Sequence, residues 1–254
     1  SVLTLAVAEG IMNGMRSLQK VKDFNSDDEP VFADALTKSI HKWGNLYPYA
    51  GYGGAFRRWL ASENPEPYNS WGNGSAMRAS YAGWIAQSLE DAEFLATASA
   101  SVTHNHPEGI KGAVAIAGSI YLLRNSDPAD AKETVKRYVS KLYDLDLTLD
   151  EIRPVYHFDV SCQGSVPQAI QAFLEGESFS EVLALAISIG GDSDTIAAMA
   201  GSLAEVIYPI PDGMRDRVLK RLDYTFKSCL AGTIDFLIDN LNKISGLESS
   251  AISS

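Results

Sequence analysis

Very little in this chain reads as a strand, a membrane span or a disulfide framework. Clean alternation of apolar and polar residues is nearly absent, and 155–160 is the one short segment that fits a β-strand. No apolar run approaches the roughly eighteen residues needed to cross a bilayer, and no signal peptide opens the chain, so a soluble, cytoplasmic protein with no membrane partner is expected. The two cysteines, Cys162 and Cys229, lie far apart without metal spacing, which makes buried reduced thiols the expectation. No basic cluster exceeds Arg57-Arg58 or Lys136-Arg137, and the formal net charge is −11. Such a chain repels a phosphodiester backbone, which argues against a nucleic-acid partner. A small anionic ligand stays open to it, because a cation or helix N-termini recruit anions locally. The sequence has neither a G-x-x-x-x-G-K-[ST] phosphate loop nor a G-x-S-x-G nucleophile elbow.

What the chain does have is helical periodicity almost throughout, with 46% hydrophobic residues over 254 positions to fill a core. Helical spacing opens at Val2, Leu3, Leu5, Ala6 and Ile11. It resumes at Phe32, Ala35, Leu36 and Ile40 after the start signal at 26–30. Further helices are expected at 81–85, 89–98, 129–143, 179–189, 194–207, 214–220 and 233–243. The alanine-rich stretch 110–123 is apolar on most sides and is expected to lie centrally. Ser165 and Gln168 fit a capping box, S-x-x-Q, opening a helix at 168–174. The fold class is therefore all-α, a single compact multi-helix domain spanning 1–254, ending in a small polar tail, 245–254, that is expected to fray.

Three non-helical segments carry candidate chemistry. The first is 190–195, Gly-Gly-Asp-Ser-Asp-Thr, where Asp192, Asp194 and Thr195 pack two carboxylates and a hydroxyl between two helical stretches. Hard divalent cations take such oxygen ligands, with water and substrate completing the shell. An Asp before an apolar run is equally an ordinary N-cap. A calcium loop of EF-hand type would need Gly and Glu where Ala197 and Leu203 stand. A D-x-D-x-T phosphatase motif fits poorly, because Thr195 directly follows Asp194. The second segment is 70–78, in which Gly72 and Gly74 flank Asn73 and precede Ser75. Two glycines let the backbone approach a ligand closely, and the asparagine amide both donates and accepts. A plain Asn-Gly turn explains the same residues. The third is 100–109, with His104 and His106. H-x-H hints at zinc, but no third ligand or cysteine stands at zinc spacing. Structural histidines, or donors to a ribose or phosphate, fit as well.

Taken together these segments resemble the ADP-ribosylglycohydrolase family. The matching runs are 71–78, 103–111, 158–167 and 190–196, in the family's order and across nearly the whole chain. The resemblance implies an all-α fold with a metal pair at the base of a cleft, Mg²⁺ or Mn²⁺. It implies hydrolysis of the bond joining ADP-ribose to a protein side chain or small acceptor. It assigns Asp192, Asp194 and Thr195 as metal ligands, and Gly72, Asn73, Gly74, Ser75 and His104 as contacts to ADP-ribose. The family carries further metal ligands and an acidic residue in a Thr-Asp-Asp segment. Residues 1–8 resemble the stretch just C-terminal to that segment, so the acidic group is expected upstream of Ser1. Two alternatives remain at this point: a non-catalytic ADP-ribose-binding relative, and a metal-dependent phosphatase.

Overall fold

Helices alone build the architecture, and no named strand forms among the described residues. The computed structural model describes the backbone of residues 2–251 and the side chains of residues 2–241. In order the helices are α1 (Val2–Leu18), α2 (Glu29–Leu46), α3 (Gly54–Leu60), α4 (Ser80–Ile85), α5 (Leu89–Ser101), α6 (Pro107–Asn125) and α7 (Ala131–Val139). They continue as α8 (Leu149–Ile152), α9 (Cys162–Glu175), α10 (Phe179–Ser188), α11 (Ser193–Ile207), α12 (Asp212–Arg221) and α13 (Tyr224–Ala251), and a 3₁₀ turn, Ala76–Arg78, precedes α4.

Local chemistry sets several of the helix starts. Ser88, Ser161 and Ser178 each accept a backbone N–H from the first turn, of Asp91, Gly164 and Glu181 respectively. Thr148 and Glu151 close a reciprocal capping box on α8. Packing then divides the apolar side chains into two clusters. One gathers α1 to α5 around Ile11, Phe32, Leu36 and Trp43. The other gathers α7, α9, α10 and α11 around Val135, Phe173, Ile196 and Leu203. Burying each such side chain contributes roughly 1.5–3 kcal/mol.

Helix α6 belongs to both clusters: Ala113 and Ala117 face the first, and Ala115, Ile116 and Ile120 the second. The expected central helix is therefore present. Its small residues let neighbours close in, for a Cβ on Gly112 would lie 2.5 Å from the Cys162 Sγ of α9. Both cysteines are free thiols, Cys162 buried and Cys229 half-buried. No helix among the described residues is long and apolar enough to cross a membrane.

Three expectations are corrected. The helix expected from 168 begins at Cys162, because Ser161 takes the cap and Pro167 sits inside the helix. The 155–160 segment is no strand; its chain makes a single antiparallel bridge, Gly72 to Ser161. The 129–143 helix shrinks to α7, because Lys141 N–H to the Tyr138 carbonyl and Leu142 N–H to the Val139 carbonyl turn the chain after Val139. Helix α3 has no counterpart among the expected helices. The tail expected to fray continues helix α13 as far as Ala251, and residues 252–254 lie outside the described residues.

Candidate active site

The site forms where the 70–78 loop, the entry to α6 and the N-terminal end of α11 meet. The loop is held first by backbone: Asn73 N–H donates to the Val160 carbonyl at 2.8 Å, and Cys162 N–H to the Trp71 carbonyl at 2.8 Å. Ser75 is wholly buried and its hydroxyl donates to the Gly109 carbonyl at 2.7 Å. The Cys162 thiol donates to the Gly72 carbonyl at 3.2 Å. The Asn73 side chain is then free to reach forward. Its amide nitrogen donates to Ser165 Oγ at 3.1 Å and to Asp192 Oδ2 at 2.7 Å.

That second bond speaks against the capping reading of Asp192. The residue does occupy the N-cap position of α11, but its side chain caps no backbone N–H. It turns to Asn73 instead, while Asp194 Oδ1 accepts the Thr195 N–H at 3.0 Å. The glycine pair makes this turn possible, with φ of +79° at Gly190 and +62° at Gly191. A Cβ on Gly191 would fall 2.6 Å from the Tyr156 ring, whose hydroxyl donates to the Gly164 carbonyl at 2.6 Å. Burial, and then the adjacent Asp194 carboxylate, raise the Asp192 carboxyl above its ordinary range, against the pull of the Asn73 amide and the Thr195 hydroxyl. Asp192, Asp194 and Thr195 are thus one cluster, half-buried at Asp192 and exposed at Asp194.

Two crowded carboxylates with a hydroxyl beside them suit a hard divalent cation, which relieves their mutual repulsion. They do not enclose one by themselves. Among the described residues no group of three or more His, Cys, Asp or Glu side chains is placed to hold a metal. Asp192 and Asp194, with the Thr195 hydroxyl, are the residues that could hold such an ion.

His104 closes the other side of the loop. It is buried, and its Nε2 would lie 3.2 Å from a Cβ on Gly74 and 3.5 Å from one on Gly72. Glycine at both positions leaves the imidazole its place. Burial, and then the Arg78 charge, pull its pKa down to about 3, so the ring is neutral at pH 7. His106 serves the helix instead. Its Nδ1 accepts the Glu108 N–H at 3.1 Å as the N-cap of α6, and its ring lies edge-on to Trp71. His41 packs near Trp59 and His157 is exposed.

Sequence reasoning placed Gly72, Asn73, Gly74, Ser75, His104, Asp192, Asp194 and Thr195 in candidate segments, and the fold draws those segments together. It missed the role of Ser165, which the S-x-x-Q pattern makes a helix cap, and that of Tyr156, which carries no motif. It also passed over Arg78 and Thr103, which stand behind His104. The S-x-x-G spacing of Ser161 and Gly164 was the available signal for Ser165, since a helix capped at 161 turns residue 165 inward.

The family model for ADP-ribosylglycohydrolase matches residues 1–245. The chain is 29% identical over 183 residues to the human ADP-ribosylhydrolase ARH3, covering 55% of this chain and 50% of that protein. It is 28% identical over 146 residues to the ADP-ribosylarginine hydrolase Tri1 of Pseudomonas putida, covering 55% of this chain and 39% of the other. The chain thus spans about half the length, or less, of these curated relatives. A solved structure titled an ADP-ribosylglycohydrolase-related protein complex shares the fold, with a TM-score of 0.54, 21% identity, and coverage of 91% of this chain and 93% of its own. With a family model matched along nearly its whole length and an all-helical fold of the same kind, the chain belongs to the ADP-ribosylglycohydrolase family.

Proposed function

We propose that this chain hydrolyses the glycosidic bond between ADP-ribose and a protein side chain or small acceptor, in a metal-dependent reaction using Mg²⁺ or Mn²⁺. The observation that carries the reading is the 2.7 Å bond from Asn73 to Asp192, which joins a glycine-flanked loop suited to close approach of a ligand to a carboxylate cluster suited to a cation. Asp192, Asp194 and Thr195 would hold the metal, with two ions in a complete site. Bound there, a divalent ion supplies Lewis acidity and orients a hydroxylated ligand.

The chain's own residues contribute placement. Gly72 and Gly74 let the backbone approach the ligand, while Asn73 and Ser75 are held in place by their bonds to Ser165, Asp192 and Gly109. The neutral His104 ring offers a ring nitrogen toward the same space. The exposed Trp71 and Phe158 lie within three residues of the Gly72–Ser161 bridge and offer flat faces for an aromatic base. Rigid positioning of this kind accelerates cleavage through an oxocarbenium-like transition state by removing orientational freedom beforehand.

The test is release of ADP-ribose from arginine- and serine-linked ADP-ribosylated protein, with Mg²⁺ and again after chelation. Release that chelation abolishes supports the proposal. A second reading is an ADP-ribose-binding protein without turnover, since the observed bonds of Asn73, Ser75 and His104 speak to ligand placement and not to a bond-breaking group. Ligand binding with no release under either condition would establish that second reading instead. Turnover of a generic phosphate ester in place of ADP-ribosyl protein would point to a phosphatase.

A further inference from the structure

Arg78 is a cation with no solvent exposure and no ion pair with it among the described residues. Burying a charge without a counter-charge is costly, and proteins retain such a group where it acts on something nearby. Its Nη2 donates to the Ser99 carbonyl at 2.8 Å and to Thr103 Oγ1 at 2.6 Å, and Thr103 Oγ1 lies 2.7 Å from His104 Nδ1. We propose that Arg78 is a positioning residue: through the Thr103 hydroxyl it fixes His104 as the neutral tautomer with hydrogen on Nε2, a donor presented to the loop of Gly72 and Gly74. The identity of what that donor meets, a phosphate or ribose oxygen of an ADP-ribosyl ligand, rests on the function proposed above.

Counting hydrogens decides the tautomer. Thr103 Oγ1 carries one hydrogen and already accepts from Arg78. That hydrogen has two acceptors in range, the Ala100 carbonyl at 3.5 Å and His104 Nδ1 at 2.7 Å. The shorter contact takes it. The reverse arrangement would crowd two donors, Arg78 Nη2 and Nδ1–H, onto Oγ1 and leave the Thr103 hydrogen on the long contact. Nδ1 therefore accepts, and a neutral imidazole that accepts at Nδ1 donates at Nε2. The charged and titratable groups facing His104 are Arg78 and Tyr68, whose ring centroid lies 5.5 Å away. Burial pushes the Tyr68 phenol up, so it too is neutral at pH 7. The facing contacts of Gly72, Gly74 and Gly109 bring no charge.

Long-range ¹H–¹⁵N spectra of the ¹⁵N-histidine-labelled chain read the tautomer directly, with His104 assigned by comparison with His104→Gln. The wild-type ring is expected to show hydrogen on Nε2 and to stay neutral at pH 5. In Thr103→Val an Nδ1–H population appears and the affinity for free ADP-ribose falls about tenfold, as for one lost hydrogen bond. Thr103→Ser restores both. Arg78→Met shifts the tautomer in the same direction, and if it does not fold, the Thr103 pair decides alone. An Nδ1–H wild-type ring, or an unchanged Nε2–H ring in Thr103→Val, overturns the relay. Wild-type protein that shows the expected tautomer but binds no ADP-ribose sinks the ADP-ribosyl reading and leaves the relay standing.

Discussion

The two halves of the site are built in opposite ways. The 72–75 loop and His104 are largely buried, and folding supplies partners there: Val160 and Ser165 for Asn73, Gly109 for Ser75, Thr103 for the Nδ1 of His104. The 190–195 turn is half-exposed, runs through two glycines with positive φ, and is tied to the opposite half by one side-chain bond, Asn73 to Asp192. One half is held in place by folding, with the Nε2 of His104 left over. The other carries like charges that folding leaves crowded, and a cation would complete it. Substitutions in the buried half should therefore register in stability, and substitutions in the turn should register in activity.

The largest expected effect tests the turn. Asp192→Asn or Asp194→Asn should lower ADP-ribose release at least about a hundredfold, as for groups essential to a metal site, with the helical circular-dichroism signal unchanged. Turnover unchanged from wild type in both variants would remove the ligand assignment. Next comes the buried half. Asn73→Ala leaves Ser165 and Asp192 without their donor and should cost about 1–3 kcal/mol in urea unfolding, whatever the metal content. A loss below about 0.5 kcal/mol would mean the loop is not a rigid partner to the turn.

The pH dependence of stability sharpens the contrast further. His104 has a folded pKa of about 3 against an ordinary 6.5. It takes up its proton on unfolding, so its contribution is complete above about 6.5 and is lost as pH falls toward 3. His104→Gln should therefore lose less stability than wild type between pH 7 and 5, by about 2 kcal/mol; parallel curves would contradict the buried neutral ring. Asp192 runs the other way and is smaller. Its carboxyl is raised on folding, so the folded state gains at low pH and loses as pH rises through that raised value. Metal-free Asp192→Asn should gain on wild type as pH rises from about 4 to 7, by under about 1 kcal/mol given the solvent screening. Saturating Mg²⁺ should reverse the order of their melting temperatures, because only the wild type gains binding energy.

Much of this contrast was legible before folding. Glycines around Asn73 and the close spacing of Asp192, Asp194 and Thr195 named both halves, and alanine-rich 110–123 announced the shared central helix. The rest was hidden for physical reasons. An Asp ahead of a helix reads first as a cap, and only the direction of its side chain, toward Asn73, speaks against that. Ser165 fits S-x-x-Q as well as Ser161 fits S-x-x-G, so the start of α9 slid by several residues. Helix α3 is seven residues long and went unforeseen, because the burial of its Phe56 and Trp59 comes from tertiary contact and not from a local pattern. Arg78 gave no warning at all, since burial of a guanidinium has no local pattern.

The placement of α6 reaches beyond the site. Its alanines are mortared into both apolar clusters, and its first turn is capped by His106, two residues from His104. Neither cluster can melt while the other stands without tearing this shared beam, so denaturation should proceed as one event in which scaffold and binding loop fail together.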